Sequence, residues 1–229
     1  MLRIRLAQQR GGNELEWLKT RFAFSFDRYY DPDHMGFGHL RVLNEDWISP
    51  GGGFPMHPHR DMEIVTYILE GALEHKDSTG HGAVIQAGRV QRMTAGTGIL
   101  HSEFNPSETD TTHLLQIWIH PRRKGLAPSY EERKITGEAF RLVASPDGRE
   151  ESAIIQQDLD LFAGRIAAGE SFERVLAEGN KAWVQIARGA VEVNGTTLDA
   201  GDGAALSDES VVSVRAVNDA EVLVFDMRM

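Results

Sequence analysis

The segment Gly51-Gly-Gly-Phe-Pro-Met-His57-Pro-His59-Arg-Asp-Met-Glu63-Ile-Val-Thr-Tyr67-Ile-Leu-Glu70-Gly71-Ala-Leu-Glu74 decides how this chain folds. After Glu63 it runs through β-branched and aromatic residues, stops at Gly71 and resumes in a second apolar stretch, the pattern of a strand, a tight turn and a strand. The same pattern returns in the other half of the chain. Tyr67-Ile-Leu-Glu-Gly71-Ala-Leu-Glu74 aligns with Gln185-Ile-Ala-Arg-Gly189-Ala-Val-Glu192, and Gln86-Ala-Gly88 aligns with Asp199-Ala-Gly201. A hairpin turn followed by a second turn, present twice, predicts two tandem β-barrels of one ancestry. The first copy holds about five more residues between its paired glycines, a length that a surface loop absorbs at small entropic cost.

The rest of the chain agrees. Its 229 residues leave room for two cores, and 23 glycines punctuate short runs rich in Val, Ile, Leu and Thr, such as Leu114–Ile119 and Glu221–Phe225. The fold class expected is all-β. Helical patterning is confined to two short stretches, 12–18 and 129–133. The polar, turn-rich stretch Ser145-Pro-Asp-Gly-Arg-Glu-Glu-Ser152 is the expected boundary, giving domains 1–145 and 146–229.

Composition narrows the chemistry. There is no cysteine, so any metal is held by histidine and carboxylate, and disulfides and thiol nucleophiles are excluded. With 24 Lys+Arg against 34 Asp+Glu the formal charge is −10, which repels phosphate backbones and argues against direct nucleic-acid binding. No apolar run approaches the ~20 residues that span a bilayer, so no membrane association is expected. The first ten residues lack the apolar stretch of a secretory signal, which makes the cytoplasm the expected location.

In a strand, residues i and i+2 project from one face. His57-Pro-His59 therefore presents two imidazoles together, and His101-Ser-Glu103 presents an imidazole and a carboxylate, so two strands facing across a barrel can close a shell of three histidines and one carboxylate. A His-x-His pair alone is a weak signal. It gains weight because all nine histidines lie between His34 and His120, and because alignment on Gly71 and Gly189 puts Val175 and Ala177 where His57 and His59 stand in the first copy. The second barrel is expected to hold no metal. His75, His81 and His113 lie in or beside turns and read as surface groups, His34 and His39 belong to a glycine-rich entry loop, and Tyr67 and Trp118 read as core residues. Glu63 competes with Glu103 as the fourth ligand, since each lies an even number of residues from a candidate histidine; its other reading is a carboxylate that orients one.

Gly51-(five residues)-His57-Pro-His59-(three)-Glu63 resembles the first cupin motif, and Gly88…Gly98-Ile-Leu-His101-(three)-Asn105 resembles the second. More narrowly, His57-Pro-His-Arg-Asp-Met-Glu-Ile-Val-Thr-Tyr67 with Thr94-Ala-Gly-Thr-Gly-Ile-Leu-His-Ser-Glu103 looks like the pirin family, and Phe24-Ser-Phe26 and Tyr29-Tyr-Asp-Pro32 extend the likeness. The resemblance implies two tandem cupin (jelly-roll) barrels, with one divalent transition metal ion on His57, His59, His101 and Glu103. Iron comes first, and copper, nickel, cobalt, manganese or zinc also suit such ligands. General cupins use the glutamate of the first motif, here Glu63; it is the pirin likeness that favours Glu103. The activity implied is that of quercetin 2,3-dioxygenase, opening the heterocyclic ring of a flavonol with O2 and releasing carbon monoxide, with Glu103 as the catalytic base. The alternative that the family implies is a metal-dependent regulatory protein acting through protein partners.

Overall fold

The computed structural model of the protein describes residues 1–134 and 140–229. Among the described residues the only helical segments are two single 3-10 turns, Ala7–Gln9 and Arg149–Glu151, and the rest of the regular structure is strand. The two stretches with helical patterning are strands instead. Gly11–Glu14 and Leu18–Phe22 form a hairpin, and Ser129–Lys134 pairs with Arg89–Thr94 along its whole length. Their glutamates, lysines and arginines favour helix locally, but a complete ladder with a neighbouring strand overrides so weak a preference.

The described chain clusters into two compact units that interleave in sequence: Gly11–Lys134 with Ala153–Gln157, and Met1–Arg10 with the described part of Ile135–Ser152 and Asp158–Met229. The expectation of a single division after residue 145 takes no account of this interleaving. Its cause is visible at both points. Leu2–Arg5 pairs antiparallel with Gly203–Ser207, and Ala153–Gln157 hydrogen-bonds through the Ile154 N–H to Glu131 and the Gln156 N–H to Glu63.

Each unit is a large sheet and a small sheet. In the first, the large sheet runs in the order Ser129–Lys134, Arg89–Thr94, Glu63–Glu70, Thr112–Ile119, Leu40–Ile48, Leu18–Phe22, Gly11–Glu14, and the small one Gly53–His59, Ile99–Phe104, Ala72–Asp77, Gly82–Gln86. In the second, Gly203–Ser207, Lys181–Arg188, Ala220–Met227 and Leu159–Ile166 follow one another in the large sheet, and Ser171–Val175, Val211–Ala216, Ala190–Val193 and Thr196–Asp199 in the small one. The order is the same, so the repeat is structural. Gly71 and Gly189, which anchor the sequence alignment, both turn at φ +73°, a conformation that costs glycine nothing.

Side chains on alternate positions of the first unit's large sheet build its interior in layers. Ile68, Leu114 and Ile48 join one apolar cluster, and Ile64 joins another with Met93. Between them, directly opposite one another on four adjacent strands, lie Asn44, Gln116, Thr66 and Gln91. All four are buried, so this barrel has a polar belt across its middle.

Candidate metal centre

Strand Gly53–His59 lies antiparallel to Ile99–Phe104, with His57 opposite His101 and His59 opposite Ile99. Alternation turns His57, His59, His101 and Glu103 inward from two neighbouring strands of the small sheet. The three imidazoles form a triangle with ring centroids 4.4 Å (His57–His101), 4.7 Å (His57–His59) and 4.7 Å (His59–His101) apart. One nitrogen from each lies within 4.8 Å of those from the other two. His57 donates from Nδ1 to the Pro55 carbonyl at 2.8 Å, which leaves Nε2 with a free lone pair. His101 Nε2 is fully buried and has no hydrogen-bond partner among the protein atoms. Buried polar atoms are almost always satisfied, so an unpaired nitrogen inside a ring of imidazoles fits a metal ion.

The electrostatics point the same way. Burial, helped by the neighbouring imidazoles, pushes the pKa of His101 down to about 2, and burial beside His57 pushes that of His59 down to about 4. Both rings are neutral at physiological pH and offer lone pairs. Burial, with the nearby Asp46 carboxylate, drives Glu103 up to about 7 against the hydrogen bond from Gln116. Gln116 Nε2 donates to Glu103 Oε2 at 2.8 Å, while Oε1 is buried without a partner. Gln116 is in turn fixed through its Oε1 by the Thr66 hydroxyl at 3.0 Å, so the polar belt aims this carboxylate.

Glu63 is occupied elsewhere. It is completely buried, and its Oε2 accepts from the Thr94 hydroxyl at 3.0 Å and the Gln156 N–H at 3.1 Å, while its Oε1, like that of Glu103, has no partner among the protein atoms. It tethers the segment Ala153–Gln157, a role hidden in sequence because the partner lies more than ninety residues away.

Two of the histidines read as surface groups are in the interior. His113 is buried, stacked on Trp47 and bonded to Glu45 at 2.9 Å. His75 is fully buried and belongs to a second group of potential ligand atoms with His101 and Glu103. Their positions near turns suggested exposure, but His75 points into the barrel, and His113, on the face of its strand opposite to Leu114 and Gln116, is covered by Trp47. Only His81 keeps a largely exposed side chain, at 53%. His34 bonds to Asp31 at 2.8 Å in the entry loop. Tyr67 is a core residue as expected, whereas Trp118 is only partly buried, packs edge-on against His59 at 4.8 Å and lines a cavity.

That cavity, about 410 Å3, opens onto His57, His59 and Glu103. Trp17, Phe22, Phe26, Phe54 and Trp118 form its walls, and Asn44, Asp46 and Gln116 add polar groups. An apolar chamber with few polar groups beside a ligand cluster is the usual form of a small-molecule site. The larger cavity of the second unit, about 550 Å3, has no such cluster; Arg165 and Arg188 there both approach Glu221, at 3.8 and 3.7 Å.

Among the described residues the potential ligands fall into two groups that share His101, one of His57, His59 and His101 and one of His75, His101 and Glu103, both in the first unit; two double-sheet barrels, one with this cluster beside an aromatic chamber, define a bicupin. The chain belongs to the pirin family: residues 3–119 match that family, and residues 142–227 match the quercetinase C-terminal cupin domain. It is 45% identical to a quercetin 2,3-dioxygenase of Escherichia coli over 99% of both chains, and 41% identical to a pirin-like protein of Caulobacter vibrioides over 94% of this chain and 95% of that one. Its structure is similar to that of the bacterial pirin YhhW from Escherichia coli in complex with nickel(II), with a TM-score of 0.96 and 44% identity over 99% of each chain.

Proposed function

We propose that this protein is a metal-dependent dioxygenase that opens the heterocyclic ring of flavonols with O2 and releases carbon monoxide, and that His57, His59, His101 and Glu103 hold its metal. The observation that carries the reading is the unpaired, buried His101 Nε2 within the imidazole triangle, at the edge of an aromatic cavity. His75 is not counted as a ligand because it lies outside the group formed by His57, His59 and His101 and does not line the cavity. The names of the relatives and the nickel complex of YhhW support the same reading.

A divalent ion held there by His57, His59, His101 and Glu103 would supply Lewis acidity, lowering the pKa of a flavonol's 3-hydroxyl. The chain does the rest. Glu103, held at Oε2 by Gln116, has Oε1 without a protein partner, and this oxygen either stays with the ion or leaves it to accept the 3-hydroxyl proton. Trp118, Phe54 and Phe26 cover flat aromatic rings and exclude water from the reacting carbon atoms. Asn44, whose Oδ1 is buried without a partner, and Asp46 offer acceptors to the substrate's other hydroxyls.

The test is purified protein loaded in turn with iron, copper, nickel, cobalt, manganese and zinc and given quercetin in air. Loss of flavonol absorbance with matching release of carbon monoxide is expected with at least one metal. No turnover with any of them would sink the dioxygenase assignment and favour a regulatory role.

A further inference from the structure

Beside the candidate metal centre His75 and Asp77 form a buried titratable pair to which the proposed reaction gives no work. Asp77 stands opposite His101, and His75 opposite Glu103, on the strand that flanks the ligand strand. Asp77 Oδ1 accepts from the Thr79 N–H at 2.8 Å, the Thr79 hydroxyl at 2.6 Å and the His81 N–H at 3.3 Å. With three donors on Oδ1, the carboxylate is fixed and its Oδ2 faces His75 Nε2 at 3.0 Å. A carboxylate only accepts, so His75 carries its proton on Nε2 and has a bare Nδ1. That nitrogen faces His101 Nδ1 at 3.4 Å, with Gln91 Nε2 at 3.5 Å as a second donor. Tyr130 stacks on the His75 ring at 4.8 Å and holds its plane.

The consequence runs through the chain of rings. With His75 Nδ1 an acceptor, the hydrogen bond between the two rings forms only when the proton of His101 sits on Nδ1, which leaves Nε2, the buried nitrogen with no partner, free to bind a metal ion. We infer that Asp77 and His75 are positioning residues that set the tautomer of His101, and thereby the metal affinity of the centre. This rests on the assignment of His101 as a ligand. Outer partners of this kind typically change metal affinity by about 10–100-fold when altered.

Asp77→Asn is the informative variant. Its three fixed donors would keep the amide oxygen in the Oδ1 place and turn the NH2 group toward His75. His75 must then accept at Nε2 and carry its proton on Nδ1, so it can no longer accept from His101, which shifts to the Nε2–H form. Two measurements read this: the nickel dissociation constant by competition with a chromophoric chelator, and the 15N shifts of the imidazoles in metal-free protein. Wild type is expected to bind one nickel and to show His101 as the Nδ1–H tautomer. D77N and His75→Leu are expected to bind about 10–100-fold more weakly with the tautomer shifted, and His75→Gln, which keeps an acceptor oxygen, to recover most of the affinity. Thermal melting separates folding from binding. Variants that melt earlier yet bind nickel as wild type does, or D77N with an unshifted His101, would overturn the inference alone. Wild type that takes up no nickel would overturn the metal assignment itself.

Discussion

The two barrels share one strand order and differ in what fills their middles. In the first, the row across the large sheet is Asn44, Gln116, Thr66 and Gln91; in the second the corresponding row is Phe162, Val224, Val184 and Ala204, with Thr66 and Val184 each five residues before the aligned glycine. The small sheets differ likewise. Where His101 faces His57 in the first barrel, Val212 faces Arg174 in the second, and Phe172, at the place of Phe54, packs with Phe140 and Phe162 against an apolar core. Polar residues at mid-height make a chamber that must be satisfied by ligands; apolar ones at the same height close the barrel by packing. One architecture thus serves as a site or as a plug according to a handful of inward positions.

The contrast can be broken from either side. Replacing His101 with Ala has the largest expected effect: bound nickel falls from one ion to none, and flavonol turnover is lost with it. At nickel near 100 times its dissociation constant wild type gains about 2.7 kcal/mol of stability, and this variant gains nothing. Phe172→Ala is the packing change to set beside it in the second barrel. It is expected to cost about 2 kcal/mol, below the roughly 3–5 kcal/mol of a fully buried ring, and to leave nickel content intact. Metal analysis and urea unfolding of both variants check the pair, and nickel loss in F172A would break the division of labour.

The two buried glutamates sharpen it further. Glu103→Gln is expected to lose turnover and weaken nickel binding, while Glu63→Gln keeps its nickel and melts earlier, because Glu63 serves Thr94 and the Gln156 backbone. Nickel loss in E63Q alone would reverse the assignment of the fourth ligand.

In the second barrel Arg174 lies over Phe162 and bonds to Asp226 and Asp160, both at 2.9 Å. Arg174→Met leaves those buried carboxylates short of a partner. Because Arg228 still reaches Asp160, Asn180 still reaches Asp226, and Arg174 is a third exposed, the expected cost is only about 2 kcal/mol in urea unfolding, with nickel binding unchanged.

The smallest effect concerns pH in chelator-treated protein. His59 and His101 have depressed pKa values, so the unfolded chain binds more protons and stability is lost as pH falls from about 6.5 toward 4. Glu103 and Asp46, both raised to about 7 by burial, act oppositely: the folded state holds the proton, and stability is gained as pH falls from 7 toward 4. The two pairs offset each other in wild type. Removing one acid in E103Q tips the balance, and its stability is expected to drop more steeply between pH 7 and pH 5, as urea unfolding at the two values will show.

Much of this was legible before any coordinates. Glycines at corresponding turns announced two barrels, and the i, i+2 spacing of His57, His59, His101 and Glu103 announced which side chains share a face, because both are local properties of a strand. The register of the second barrel was not. Alignment on Gly71 and Gly189 put Val175 and Ala177 at the ligand positions, but Val175 is 76% exposed, and the inward residues of Ser171–Val175 are Phe172 and Arg174. A slip of one residue exchanges the faces of a strand, and only the ladder decides it.

Sequence by itself therefore determined the two-barrel plan and the histidines that point together. The tertiary structure placed Glu103 beside His101 and His75 and tied Glu63 to Thr94 and Gln156, buried His75 and Asp77 behind His101, and gave Trp118 a chamber to line instead of a core. The physical reason is that periodicity along a strand settles its faces, while partners across the barrel are set by long-range strand pairing and by which buried polar atoms are left to be satisfied.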